Sequence, residues 1–401
     1  MFALREADRA GGGDNTIILN DQNMDQLLYG LGFGASGGGG GYTIGAALSK
    51  AIKDLVPVEN RVLYDVARAA DDDFIAIAGG IGAPSAITPT TIFKFAEYMD
   101  VAISQYEKDH GVKITGLLPI EAGPVNALLA MYYGWVRSQN DPSFKVYNVD
   151  GDGRAVPSLT NLVFGYNDYP IAPVYLAGNK GGTVSSSEIQ PPPANAAAAE
   201  AAIRDNLAPY GDAAGILFWG QTGAQFKASK ALVPNRFTQL VTLGAGAMAN
   251  ARDEPNLLQY LISREDIDSV YLGTLRDIKT GSLPGYDDGH LLIQTAGSPN
   301  VDLDIHYENE NMLLLDAVTG APKATAPSGI AMLFEVNGGY IPYNNGDNLK
   351  GLGLIGHRMI TVVMKQKCLL YSGALEQSFA TVLKGKPFNY SGPITPKNCT
   401  P

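Results

Sequence analysis

In the first 155 residues, short apolar runs alternate with segments of helical periodicity, and this alternation constrains the fold more than any other feature. Residues 71–85, 113–121 and 144–153 each contain an apolar or β-branched run that leads into a turn, as buried strands do. Between them, residues 90–111 and 125–138 carry apolar side chains at helical spacing. Strands that alternate with helices predict an α/β N-terminal domain whose mostly parallel sheet has helices on both faces.

The second half of the chain has a different pattern. Apolar segments split by Gly, Pro and Asn turns after residue 263 predict a β-rich C-terminal domain. The three consecutive prolines at 191–193 interrupt both helix and strand, so they indicate an extended spacer before an alanine-rich helix start. The predicted organisation is an N-terminal arm (1–20), an α/β domain (21–184), a Pro/Ala-rich spacer or insertion (185–206), a helical return to the α/β domain (207–262), a β-rich domain (263–365) and a C-terminal extension (366–401).

The composition excludes two classes of partner. The chain has 401 residues and a formal net charge of −11, with no basic stripe of the kind that nucleic-acid binding requires. It has no run of about 18 apolar residues to span a membrane. Because the first 15 residues are too charged for a secretory signal peptide, the expected location is cytoplasmic, with surface or extracellular display left open.

Two aspartates and an arginine share one glycine-bent loop, Asp150-Gly151-Asp152-Gly153-Arg154. Carboxylates two residues apart repel each other unless a cation or a guanidinium lies between them. The loop could also be an ordinary solvated turn, since Asp and Gly are common turn residues. We expect Arg154 to pair with Asp150 or Asp152 and to lie at the junction of the two domains.

A second polar cluster follows the preceding predicted strand. Glu121 could act as a general base if burial raised its pKa towards neutrality, or it could be a carboxylate at the start of the next helix. Asn126 could donate to a carbonyl oxygen or cap that helix. Open α/β sheets place their sites at the carboxyl ends of neighbouring strands, which favours a functional role for both clusters.

Several motifs occur in an order that identifies a resemblance. They are a glycine-rich loop (30–45), a Gly-Ala-Pro turn (82–84), an E-x-G-x-x-N segment (121–126), an approximate D-x-D-x-G-R-A-x-P segment (150–157) and YENENMLL (307–314). In this order the chain resembles the S-methyl thiohydantoin desulfurase-like family, often found beside hydantoinase/oxoprolinase proteins. The resemblance extends over roughly residues 25–335.

The resemblance implies an α/β domain, a β domain and a hydrolase-like activity on a thiohydantoin, hydantoin or related cyclic amide. A carboxylate- or metal-activated water would attack the ring, with Glu121 or Asp150 as base, Asp152 beside it, Arg154 holding an anion and Asn126 orienting the ring. The residues expected to bind the substrate are Gly38, Gly39, Gly40, Gly82, Ala83, Pro84, Asn309, Glu310 and Asn311. The glycine loop would form a wall of the cleft, since glycine lets a ligand approach the main chain closely.

One departure from the family favours an alternative. The family has a lysine several residues after its Gly-Ala-Pro turn, whereas the first lysine here is Lys94. A catalytically degraded member could instead serve as a self-assembling structural or interaction protein. Its 20 tyrosines and the apolar residues of its extended ends would suit a homo-oligomer formed through the terminal extensions.

Metal and cysteine chemistry have weaker signals. The four histidines have no metal-ligand spacing, so the candidates for a divalent ion such as zinc are Asp150 and Asp152 with the distant His306. Cys368 and Cys399 predict two free thiols, with a disulfide as the alternative in an oxidising compartment. The glycine loop lacks a Walker lysine and a preceding strand, so a phosphate site is disfavoured.

Overall fold

The computed structural model describes residues 15–82, 93–163, 171–211, 213–229, 233–281, 286–371 and 373–384. The strands of the N-terminal half are β1 Ile17–Ile18, β2 Val62–Tyr64, β3 Phe74–Gly82, β4 Gly116–Pro119, β5 Lys145–Tyr147, β6 Val149–Asp150, β7 Val174–Lys180, β8 Thr183–Glu188, β9 Ala213–Thr222 and β10 Val233–Pro234. The helices are α1 Asp21–Gly34, α2 Tyr42–Leu55, α3 Phe95–His110, α4 Asn126–Ser138, α5 Ala196–Leu207, α6 Gly223–Ala228, α7 Arg236–Asn250, α8 Glu254–Ile262 and α9 Gly373–Lys384.

The first domain contains an eight-stranded sheet in the order β1-β2-β5-β4-β3-β9-β7-β8. Its centre, β2-β5-β4-β3, is parallel, and antiparallel strands extend it on both sides. Alternate residues of β3 face opposite cores: Ala76 and Ala78 pack against the layer of α1, α3 and α4, whereas Ile75 and Ile77 pack with apolar residues of α5 and α9. The predicted α/β domain with helices on both faces is confirmed.

Close helix packing fixes the position of the glycine-rich loop after α1. Asn20 caps α1 by accepting a hydrogen bond from the backbone N–H of Asn23. A Cβ on Gly30 would lie 2.0 Å from the carbonyl oxygen of Leu240 in α7, so the two helices touch backbone to backbone. This contact between α1 and α7 therefore fixes the position of the C-terminal end of α1, where the loop begins.

The second domain is an antiparallel half-barrel with the strand order β15-β14-β13-β12-β11-β18-β16-β17. Its strands are β11 Ile267–Thr280, β12 Asp288–Thr295, β13 Leu303–Glu308, β14 Glu310–Asp316, β15 Pro322–Thr325, β16 Gly329–Val336, β17 Gly339–Ile341 and β18 Arg358–Met364. One face encloses an apolar core that includes Leu291, Ile305 and Phe334. The predicted β-rich C-terminal domain is confirmed.

Two further findings concern the expectations for particular segments. Residues 185–206 contain the end of β8 and most of α5, and α5 packs its alanine face onto the sheet. Cys368 is disulfide-bonded, so the prediction of two free thiols is wrong.

Among the helices of the described ranges, none combines the length and apolar character needed to cross a membrane.

Candidate active site

A cleft lies where the N-terminal sheet meets the β domain. It has a volume of about 50 Å³, which at about 10–15 Å³ per water holds a few waters. The lining residues come from the ends of β3 and β4, the glycine loop, the 156–162 segment, α5 and the turn between β13 and β14. The glycines and polar or charged residues of the lining that are discussed below are Gly39, Gly40, Gly80, Gly82, Glu121, Asn126, Glu200, Arg204, Asn309 and Glu310.

Glu121 is buried just beyond the end of β4, and both of its oxygens accept hydrogen bonds. Oε1 accepts from the Asn126 side chain at 2.6 Å, and Oε2 accepts from the backbone N–H of Val156 at 2.9 Å. Asn126 also accepts from the backbone N–H of Gly80 at 2.9 Å, which fixes its amide orientation. The N–H groups of Val125 and Asn126, at the start of α4, donate to the carbonyl of Gly39 rather than to Glu121. Glu121 is therefore positioned towards the cleft by Asn126 and does not cap the helix.

Burial raises the pKa of Glu121 to about 7. The hydrogen bonds from Val156 and Asn126 favour the ionised form and oppose this shift, while the nearby Asp150 reinforces it. A carboxylate that titrates near neutrality exchanges protons readily at physiological pH, as a general base requires.

Glu310 enters the same cleft from the β domain. The turn before it places Asn309 in the left-handed region at φ 55°, and Glu310 then begins β14. Its Oε1 accepts from the backbone N–H of Gly39 at 3.0 Å, whereas its buried Oε2 has no hydrogen-bond partner among the described residues. Burial, and then the charge of Glu121, raise the pKa of Glu310 well above its usual value, which favours the protonated form of this carboxyl group.

The glycine loop forms one wall of this cleft through backbone alone. Gly39 has φ +64°, and a Cβ there would lie 2.5 Å from the Cα of Gly123. The side-chain amide of Asn344 donates to the carbonyls of Gly38 and Gly40 at 3.0 and 2.8 Å. Gly38 itself faces Glu310, since a Cβ on it would lie 1.9 Å from Glu310 Oε1. Contacts with both domains therefore fix the conformation of the loop, and Gly39 and Gly40 line the cleft.

Asp150 and Asp152 lie outside the lining of the cleft and are completely buried. Asp150 accepts from the backbone N–H of Gly153 at 2.9 Å, and neither oxygen of Asp152 has a hydrogen-bond partner among the described residues. Burial raises the pKa of Asp150 to about 7 and that of Asp152 well above its usual value. The loop is thus neither a solvated turn nor an exposed catalytic loop.

Arg154 lies at the domain junction, as predicted, but it does not pair with either aspartate. Its guanidinium donates to the backbone carbonyls of Ala155 (2.8 Å), Ser328 (2.7 Å), Asn311 (3.1 Å) and Pro327 (3.3 Å). The predicted ion pair is wrong because the docked β domain supplies carbonyl oxygens that take the guanidinium donors. Arg154 therefore joins the two domains.

The remaining predicted binding residues separate into three groups. Gly82 and Asn309 line the cleft, while Ala83 and Pro84 lie outside the described residues. Asn311 does not line it, because its side chain donates to the carbonyl of Ile330 and accepts from Asn345. Asn311 thus stabilises the β domain beneath the cleft.

Two charged residues of α5 at the cleft were missed by sequence reasoning. Glu200 accepts from the backbone N–H of Leu159 at 2.9 Å and from Arg204 at 2.7 Å. The guanidinium of Arg204 lies 4.4 Å from the ring centroid of Tyr286. The signal that could have found them is the i, i+4 pair of charges in an otherwise alanine-rich helix.

The predicted metal grouping of Asp150 and Asp152 with His306 is not formed among the described residues. His306 lies on β13, where its Nε2 is 3.2 Å from Asp304. The two loop aspartates lie instead at the pairing of β6 with β10, because Asp150 is in register with Val233. Strand register, which the spacing in sequence does not reveal, separates these residues.

Comparisons with known proteins agree with this architecture. The family model described as "S-Me-THD-like, N-terminal domain" matches residues 22–188, and the one described as "S-Me-THD-like, C-terminal domain" matches residues 194–348. A crystal structure of a protein from Chromobacterium violaceum is similar, with a TM-score of 0.70 and 23% sequence identity over 96% of this chain and 100% of that chain. No curated protein gives a match. The two family matches together cover most of the chain, which therefore belongs to the S-Me-THD-like family.

Proposed function

We propose that this protein is a hydrolase of a thiohydantoin, hydantoin or related small cyclic amide, with Glu121 as the base that activates water. The observation that supports this most directly is a buried carboxylate of pKa about 7 at the wall of a small cleft, held by Asn126 and facing a second carboxyl group, Glu310. Two carboxyl groups whose environments give them different protonation states can divide base and acid roles between them.

The proposed reaction uses both groups in sequence. Glu121, ionised, takes a proton from water as the water oxygen forms a bond to the ring carbon. Glu310, protonated, gives its proton to the departing atom as the ring C–N bond, or the bond from the ring carbon to the thioether sulfur, breaks, so that the nitrogen or the thiol leaves in its neutral form. Each oxygen of Glu121 accepts one hydrogen bond from the protein and has a second lone pair for a water.

The proposal revises two roles implied by the resemblance. Arg154 gives its donors to backbone carbonyls, so we assign an anionic substituent of the substrate to Arg204, which lines the cleft in an ion pair with Glu200. The family lysine after the Gly-Ala-Pro turn is absent from this sequence, so the acid is assigned to Glu310.

The test is an assay of hydantoin, thiohydantoin and S-methyl thiohydantoin ring substrates with the full chain. We expect Glu121→Gln and Glu310→Gln each to lower kcat by at least about 100-fold, the usual size of a general acid–base contribution. Glu59→Gln, at an exposed glutamate, is the matched control and should leave kcat unchanged. Thermal melting of each variant shows whether it folds. Absence of turnover of all three rings, or full activity of folded Glu121→Gln, would reject the proposal.

A specific surface feature favours the second candidate, a self-assembling protein. Strand β1 forms one edge of the first sheet, Ile18 on it is 57% exposed, and the 58–60 turn that contacts β1 carries the exposed Val58. An edge strand flanked by apolar side chains is a surface to which another chain can add. We propose that a homo-oligomer forms there with the help of the terminal segments, of which residues 1–14 and 385–401 lie outside the described residues.

Light scattering tests this second candidate. Deletion of residues 1–15, or the substitution Ile18→Glu, should lower the mass from an oligomer to a monomer. Val318→Glu is the matched control, since Val318 is 75% exposed in the β domain, far along the chain from β1. A wild-type protein that is already monomeric would remove this candidate and leave the hydrolase standing alone.

A further inference from the structure

Two histidines and an aspartate meet on one face of the β domain, outside the cleft described above. His290 on β12 is directly opposite His306 on β13 in the strand register. Asp304 precedes His306 by two residues on β13, so all three side chains leave the sheet on the same face. This face is opposite to the one that encloses the core with Leu291 and Ile305.

The distances between the donor atoms suit a small metal ion. His290 Nδ1 and His306 Nε2 are each 3.2 Å from Asp304 Oδ2. One donor atom from each of the three residues lies within 4.8 Å of the others. Around a tetrahedral ion with bonds of about 2.0–2.1 Å, neighbouring donor atoms are about 3.3 Å apart. A modest rotation of one imidazole would therefore bring three ligand atoms into tetrahedral positions around one ion.

The charges around the cluster favour a cation. Asp288 and Glu308 are paired in register two residues along the same strands, so they flank the histidines on the same face. The basic neighbour in register is Lys279 on β11, which is opposite His290 and exposed. The strand register thus places Asp304, Asp288 and Glu308 on the face of the two histidines, with Lys279 as the basic residue opposite His290.

We propose that His290, Asp304 and His306 bind one zinc ion or a similar first-row transition-metal ion, with solvent in the fourth position. Imidazole nitrogens suit such ions and select against Mg²⁺ and Ca²⁺, which prefer oxygen ligands. The His290 side chain is 33% exposed, which leaves the cluster open to solvent on one side. Each imidazole binds in its neutral form and keeps its remaining proton on the other nitrogen.

The proposed metal site is independent of the proposed hydrolase. None of its three residues lines the cleft, although β13 leads from His306 to Asn309 and Glu310. The alternative is a metal-free trio in which both imidazoles are hydrogen-bonded to Asp304. In the metal site, the ion lies between the imidazole nitrogens and Asp304. In the metal-free trio, imidazole protons occupy those positions.

The experiment measures zinc binding to the chelator-treated full chain by calorimetry, with cobalt absorption as a probe of the coordination. We expect one zinc per chain, an intense cobalt spectrum typical of four-coordination and a rise in melting temperature with Zn²⁺ but not with Mg²⁺. His290→Gln should weaken zinc binding at least tenfold and abolish that rise, and the 33% exposure of the His290 side chain limits the effect of the substitution on folding. His110→Gln, at the end of α3, is the matched control.

Two results would overturn the proposal. One is a wild-type protein that binds no zinc under these conditions, which would leave the hydrogen-bonded trio as the explanation. The other is zinc binding that is equally tight in wild type and in folded His290→Gln, which would place the ion elsewhere. A hydrolase assay is not needed for either result.

Discussion

Glu121 of the α/β domain and Glu310 of the β domain line one cleft, and the charge of Glu121 adds to the effect of burial in raising the pKa of Glu310. The two residues are far apart in sequence and come together only because the domains dock through the glycine loop. Gly39 contacts both sides of this junction, since its N–H donates to Glu310 and its carbonyl accepts from the start of α4. The chemistry of the cleft therefore depends on the domain interface.

The rate of the proposed hydrolysis should depend on pH through Glu121. Its pKa of about 7 means that the active, ionised base is lost below neutrality. We expect kcat/KM to fall about tenfold per pH unit below about pH 7 and to level off above it until Glu310 loses its proton. A pH–rate profile from pH 5 to 9 measures this, and a profile without an acid limb would contradict the role of Glu121.

Stability should fall as pH rises from the acidic range towards neutrality. Glu121 and Asp150 each have a folded-state pKa of about 7, raised chiefly by burial, so the folded chain retains protons that the unfolded chain has already released. The free energy of unfolding is then largest below the unfolded-state pKa values and decreases by about 1.4 kcal/mol per pH unit for each such group up to about pH 7. Urea unfolding at pH 5, 6, 7 and 8 gives the slope.

Asp152→Asn should make that slope shallower. The pKa of Asp152 is raised well above its usual value by burial, and neither oxygen has a hydrogen-bond partner among the described residues, so the carboxyl group contributes one proton to the difference between folded and unfolded states. The variant removes this proton and should lose about 1.4 kcal/mol per pH unit of the dependence. Asp54→Asn, at an exposed aspartate paired with Lys50, is the control that should keep the wild-type slope.

Arg154→Lys should destabilise the folded state although it conserves the charge. The planar guanidinium donates to carbonyls on both sides of the domain junction, and one ammonium cannot span them. Leaving buried carbonyls without a donor costs about 1–3 kcal/mol each, so we expect a loss of at least about 2 kcal/mol in urea unfolding. Arg358→Lys, at a more exposed ion pair with Glu254, should cost far less. Equal effects of the two substitutions would argue against the bridging role.

Gly39→Ala and Gly111→Ala separate backbone strain from close approach. Both glycines have φ +64°, so each alanine pays the left-handed penalty of about 1–2 kcal/mol. A Cβ at Gly111 meets nothing within 4 Å, whereas a Cβ at Gly39 would overlap the Cα of Gly123 at 2.5 Å. We expect a much larger loss of stability for Gly39→Ala in thermal unfolding. Comparable melting temperatures of the two variants would show that the loop can move away from Gly123.

Local sequence patterns were sufficient to predict the secondary-structure elements and the class of fold. Apolar periodicity predicted the helices at 90–111 and 125–138, the strands that lead to Glu121 and Asp150, and the β-rich second half, because helix and strand formation depend on residues close in the chain. Motif order identified the family, and it selected Glu121, Asn126, Gly39 and Glu310 for the cleft that the structure contains. Their roles in catalysis stay predictions.

Which polar residues face that cleft and which are buried beneath it depends on the packing of the two domains. Asp150 and Asp152 have the local pattern of an exposed loop, but the docked β domain buries them and turns Arg154 towards carbonyls of residues 327 and 328. Strand register, not spacing, brings His290 to His306. Contacts between residues far apart in the chain depend on how whole elements pack, and no local pattern in the sequence records that packing.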